Sequence, residues 1–203
     1  MSLQEELAAV RPQISTDSYS MSVGELISLY EHEEIDIHPE FQRIYRWSAF
    51  QKTRLIESLL LGIPIPPIFV SQRTDGVWDV VDGQQRLSTV YEFTGILKDE
   101  NKVFVPPLEL VGTKYLPSLA GKKWENESPD SSLSVAERLY FKRARLQVII
   151  VQKESDVAAK YELFMRLNTG GTQLSEQEVR NCLLVWTNVE MWQWMKELAK
   201  CDS

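Results

Sequence analysis

Val80-Val81-Asp82-Gly83-Gln84-Gln85-Arg86-Leu87 sets an Asp-Gly turn, two glutamines and an arginine between two recognisable elements. Before it, residues 66–70 and 77–81 read as two short β-branched strands joined by a turn at Asp75-Gly76. After it, Leu87, Val90, Tyr91 and Ile96 fall at helical spacing, and Gly95 supplies a C-terminal stop. The first N–H groups of a helix lack intrahelical partners, and the helix dipole adds partial positive charge there. Glycine lets the chain turn sharply and approach a ligand closely. Gln84, Gln85 and Arg86 add amide and guanidinium donors at the same end, and arginine suits bidentate recognition of phosphate. An anion, above all a phosphate, is the expected occupant of Asp82 to Arg86. The alternative is a solvated Asp-Gly turn that only starts a helix.

The chain of 203 residues is long enough for one sizeable domain, or for one domain with an appended helical part. Its formal charge of -7 does not advertise nucleic acid, so any DNA contact needs a local patch, a missing domain or a partner. Cys182 and Cys201 are far apart and read as reduced thiols of a cytoplasmic protein. No apolar run reaches transmembrane length and no signal peptide opens the sequence, so no membrane partner is expected.

The expected organisation is a loose lead-in over 1–17, a core over 18–152 and a helical extension over 153–203. Ser22 and Glu25, Ser48 and Gln51, and Ser134 and Glu137 form capping-box pairs that each open a helix. A short strand is expected at 35–37, a rigid connector at 63–67 and a strand across 144–152. Weaker expectations are a strand at 103–105 in a loop-rich region and a flexible insertion over 124–132. Pro39-Glu40-Phe41-Gln42-Arg43-Ile44-Tyr45-Arg46-Trp47 is too aromatic and basic for a casual loop. Its Gln42, Arg43 and Arg46 form a second donor cluster, or else a surface arginine pair stacked on Tyr45 and Trp47. Further along, Arg166-Leu167-Asn168-Thr169-Gly170-Gly171 ends a helix in a glycine stop. Arg166 and Asn168 there have no obvious core role.

These motifs, together with Leu55-Ile56-Glu57-Ser58, Gly62-Ile63-Pro64-Ile65-Pro66 and the later Glu178, Arg180 and Asn181, resemble the N-terminal domain of GmrSD-type modification-dependent restriction enzymes. The resemblance runs from about Ser22 to Leu184. It implies a ParB/sulfiredoxin-like α/β (α+β) core: a small mixed sheet with packed helices and a helical C-terminal part. It also implies nucleoside triphosphate binding and hydrolysis in phage defence. By that resemblance Asp82, Gly83, Gln84, Gln85 and Arg86 form the phosphate loop, flanked by Gln42 and Arg43 and closed by Asn168, Arg180 and Asn181. Hydrolysis would rest on positioning and charge stabilisation. Either Gln84 or Gln85 would orient water, Arg86 or Arg43 would neutralise charge, and Asp82 would hold Mg2+ directly or through water.

Two departures from related patterns matter. Sulfiredoxins place a reactive cysteine in the corresponding loop, whereas this chain has Gln84. Members of the restriction family often carry a His-Asn-His nuclease domain, but the only histidines here are His32 and His38. The sequence therefore reads as a shortened fragment or a short family member that does not cut DNA by that chemistry. Two other classes remain open. One is a DNA-binding module using Arg43, Arg46, Lys52, Arg54 and Arg73. The other is a metal-dependent nuclease in which Glu40, Glu57 and Asp82 converge. An oligomer is compatible with either.

Overall fold

The polar edge of the sheet opens the described core. In the computed structural model, which describes residues 3–5, 16–37 and 47–151, strand β1 (Thr16–Ser22) lies at one end of a five-stranded sheet. It is followed by helix α1 (Val23–Glu31), strand β2 (Ile35–Asp36), helix α2 (Ala49–Leu61), the hairpin β3 (Ile68–Gln72) and β4 (Trp78–Asp82), and helix α3 (Gln84–Phe93). An irregular segment then leads to helix α4 (Val135–Arg143) and strand β5 (Arg145–Val151). The sheet order is β1-β5-β3-β4-β2. β1 and β5 are antiparallel, as are β3 and β4, whereas β3 pairs with β5 and β2 with β4 in parallel. The expected α/β class with a small mixed sheet is thus observed.

Local chemistry accounts for the helices. Each of the three capping boxes forms: Ser22 with Glu25, Ser48 with Gln51 and Ser134 with Glu137 each close both the side-chain and the backbone bond. α2 stops at Gly62, whose φ of 68° is left-handed. α3 ends in a Schellman turn, with Ile96 N–H donating to Tyr91 O and Gly95 N–H to Glu92 O. In β5, Leu146, Val148 and Ile150 are buried while Arg145 and Gln147 are exposed, the period-two pattern of a sheet with one covered face. The core joins those residues to Leu26, Ile56, Ile68, Val70, Leu87, Tyr91 and Phe93. Tyr91 stacks on Tyr30 with ring centroids 4.1 Å apart and donates its hydroxyl to Leu26 O at 3.1 Å.

Three expectations change. Residues 16 and 17 belong to β1 rather than to a lead-in. Residues 103–105 do not form a strand: Phe104 makes an isolated bridge to Lys98, and Val103 and Phe104 are exposed. Residues 124–132 are not a loose insertion. Trp124 packs edge-on against Phe93 and Phe141 at 5.7 and 5.6 Å, and Lys123 bridges Ser132. The helices expected beyond residue 152 lie outside the described residues. No helix among those described is long and apolar enough to cross a membrane.

Candidate functional site

The Asp82–Arg86 turn forms where β4 runs into α3, and a local irregularity aims it. Phe69 pairs with Asp82 and Val70 with Val80, so Val81 is an extra residue on β4. Such a bulge twists the strand and re-aims the next side chain. Asp82 is the last residue of β4, Gly83 is the N-cap of α3, and Gln84, Gln85 and Arg86 are its first three helical residues.

Gly83 has φ 101° and no side-chain cap stands over the helix start. A Cβ built there would lie 2.4 Å from Ile68 Cδ1 and 3.4 Å from Arg86 Cζ. The turn therefore needs glycine twice: for its backbone conformation, and for the space that Ile68 and the guanidinium occupy. The first intrahelical bond, from Leu87 N–H to Gly83 O at 3.0 Å, leaves the preceding N–H groups at the end where the helix dipole favours an anion.

Arg86 is heavily engaged. Its Nη1 donates to Pro66 O and to Pro67 O, the latter at 3.0 Å, and its Nη2 donates to Asp82 Oδ2 at 2.6 Å. Its side chain is 12% exposed, against 38% for Asp82. Gln84 donates its side-chain amide to Ile37 O, at the end of the chain leaving β2. Gln85, half-buried, makes no side-chain hydrogen bond within the described residues, while its carbonyl accepts from Thr89 Oγ1 at 2.7 Å. The partner carbonyls of Ile37, Pro66 and Pro67 were not anticipated. One signal was present: a Pro-Pro pair has no N–H groups to join a ladder, and its carbonyls still need donors.

The remaining site residues divide clearly. Gln42, Arg43 and Arg46, together with Asn168, Arg180 and Asn181, lie outside the described residues, as does Glu40. Ile37 and Trp47, which bound residues 38–46 on either side, are respectively buried and packed against the core. Glu57 is buried in α2 and accepts from Thr113 Oγ1 and from Leu116 N–H at 3.2 Å. Among the described residues, no group of three or more His, Cys, Asp or Glu is placed to hold a metal.

Two of the basic residues of the DNA-binding reading are paired within the fold, Lys52 and Arg73. Lys52 pairs with Glu92, joining α2 to α3. Arg73 clamps Asp79 through Nε and Nη2 and reaches Asp36 at 2.8 Å, holding the short β2 onto β4. Burial works against its charge, but the hydrogen bonds and charges of Asp79 and Asp36 win and push its pKa up. Arg54 is exposed.

A family model described as GmrSD restriction endonuclease, N-terminal domain, matches residues 23–185. No curated protein and no solved structure matches the chain.

Proposed function

Because the chain belongs to the GmrSD restriction endonuclease N-terminal domain family, we propose that it serves a modification-dependent restriction system of phage defence. In that role it binds a nucleoside triphosphate, and hydrolyses it, at the turn between β4 and α3. One observation carries the reading. Asp82-Gly83-Gln84-Gln85-Arg86 opens α3 with a left-handed glycine and no side-chain cap, beside an amide that has no hydrogen bond within the described residues. Backbone N–H groups at such an end suit phosphate oxygens. The ParB/sulfiredoxin-like kinship implied by the sequence fits the mixed sheet and belongs to the same proposal.

In this reading the N-terminal N–H groups of α3 bind the phosphate chain, and Gln85 contacts the nucleotide and orients the attacking water. The family resemblance would add Gln42, Arg43, Asn168, Arg180 and Asn181 as nucleotide-binding residues; all five lie outside the described residues. Mg2+ is the proposed cofactor. Asp82 Oδ2 is bound by Arg86, and its Oδ1 makes no hydrogen bond within the described residues. A single part-exposed carboxylate fits a magnesium ion that takes its other ligands from phosphate and water. Held there, the ion would offset charge on the phosphates.

Neither alternative gains a specific observation. Lys52 and Arg73, two of the cations a DNA-binding patch would use, are paired internally. Glu57, one of the three carboxylates of the nuclease reading, is buried against Thr113 and Leu116. Calorimetric titration of the 203-residue chain with ATP, GTP and CTP, each with magnesium, tests the proposal. Binding of at least one of them is expected, and binding of none overturns it.

A further inference from the structure

We propose that Arg86 is a positioning residue rather than a phosphate ligand, and that Gln85 is the side chain of the turn that meets the nucleotide. The inference rests on the nucleotide-binding reading of the same site and assigns roles that the motif alone leaves open.

Geometry divides the three long polar side chains. Arg86 uses Nη1 on the Pro66 and Pro67 carbonyls and Nη2 on Asp82. Reaching a phosphate would strip a donor from two backbone carbonyls and from a carboxylate at once, inside a site where the guanidinium is 12% exposed. Gly83 reinforces the arrangement, since the position of a Cβ there lies 3.4 Å from Arg86 Cζ. The guanidinium thus lies across the turn it stabilises and fastens the connector before β3, the end of β4 and the start of α3 into one unit. Gln84 fastens the same turn to Ile37 O. Gln85 is left as the long polar side chain with no hydrogen bond within the described residues.

The roles separate in a double-mutant cycle on the full chain. Wild type, Gln85→Ala, Arg86→Lys and the double variant are titrated with the nucleotide that binds wild type, below all four melting temperatures. Gln85→Ala should weaken binding by about tenfold or more, with an unchanged melting temperature. Arg86→Lys keeps a positive charge but cannot span two carbonyls and a carboxylate, so it should lower the melting temperature and weaken binding. Added to Gln85→Ala, it should cost clearly less affinity than it costs wild type, because part of its effect passes through Gln85 and only the rest through the N–H groups of the same turn. Additive affinity losses would mean that Arg86 does not position Gln85, and an unchanged melting temperature in Arg86→Lys would mean that it does not hold the turn. Either result overturns the inference while leaving the nucleotide reading intact. Absence of nucleotide binding by the folded wild type removes both.

Discussion

Arg86 donates to Asp82 at 2.6 Å across one helical step, so the two charged residues of the turn neutralise one another at the N-terminus of α3. The pair is only part of the arrangement, because the same guanidinium also carries the Pro66 and Pro67 carbonyls. A residue whose charge suggests ligand binding is therefore also a structural bolt.

Arg86→Ala removes the bolt and takes the donor from three acceptors, of which Pro66 O and Asp82 stay open to water, and is expected to destabilise the chain by about 1–3 kcal/mol. Urea unfolding monitored by tryptophan fluorescence would read this. A change below about 0.5 kcal/mol, typical of an exposed surface site, would contradict the role given to Arg86.

Gly83→Ala should be costly for two reasons: its φ of 101° and the 2.4 Å approach of a Cβ to Ile68 Cδ1. Together they predict a loss of about 2–4 kcal/mol. Ile68→Val removes the clashing methyl, so the double variant should be more stable than the sum of the two single losses predicts. Strict additivity in thermal melts would show that the contact does not matter.

Acid stability should depend on the capping boxes. Hydrogen bonds from the backbone and side chain of Ser134 hold the Glu137 carboxyl below its ordinary value of 4.5. Those from the side chain and backbone of Ser22 do the same for Glu25. A carboxyl depressed in the folded state contributes stability that is present above its unfolded pKa and is lost as pH falls through the folded one. Stability should therefore fall below pH 4.5. The fall should be shallower in Glu137→Gln, which no longer titrates. Identical slopes for variant and wild type would contradict this.

Glu57→Ala should cost about 2–4 kcal/mol, since it opens space in the core and takes the acceptor from the Thr113 hydroxyl, Leu116 N–H keeping its second bond, to Thr113 Oγ1. Glu57→Gln retains an acceptor oxygen and should cost less. If the alanine variant melts like wild type, this carboxylate is not the anchor of the segment leading to Leu116.

Much of this fold could be read from the sequence because it is written in local chemistry. Ser-x-x-Glu and Ser-x-x-Gln pairs mark helix starts, Asp75-Gly76 marks the hairpin, and the apolar run at 146–151 marks β5. β1 escaped because Thr16 to Ser20 are all exposed. The strand is held by its backbone ladder to β5 and leaves no hydrophobic alternation to detect. Trp124 misled in the opposite way, since a polar, proline-containing neighbourhood conceals a side chain packed between Phe93 and Phe141. The Asp82–Arg86 turn was legible as a strand-to-helix junction. The commitments of its side chains were not, because their acceptors at Ile37, Pro66 and Pro67 are brought in by the tertiary fold.

The most direct measurement is nucleotide binding by calorimetry, with ATP, GTP and CTP plus magnesium, on wild type and Gln85→Ala. Wild type should bind at least one nucleotide with micromolar affinity, and binding should be lost or markedly weakened in a variant that melts like wild type. A folded wild type that binds none of the three, or a Gln85→Ala variant that binds as tightly as wild type, would contradict this.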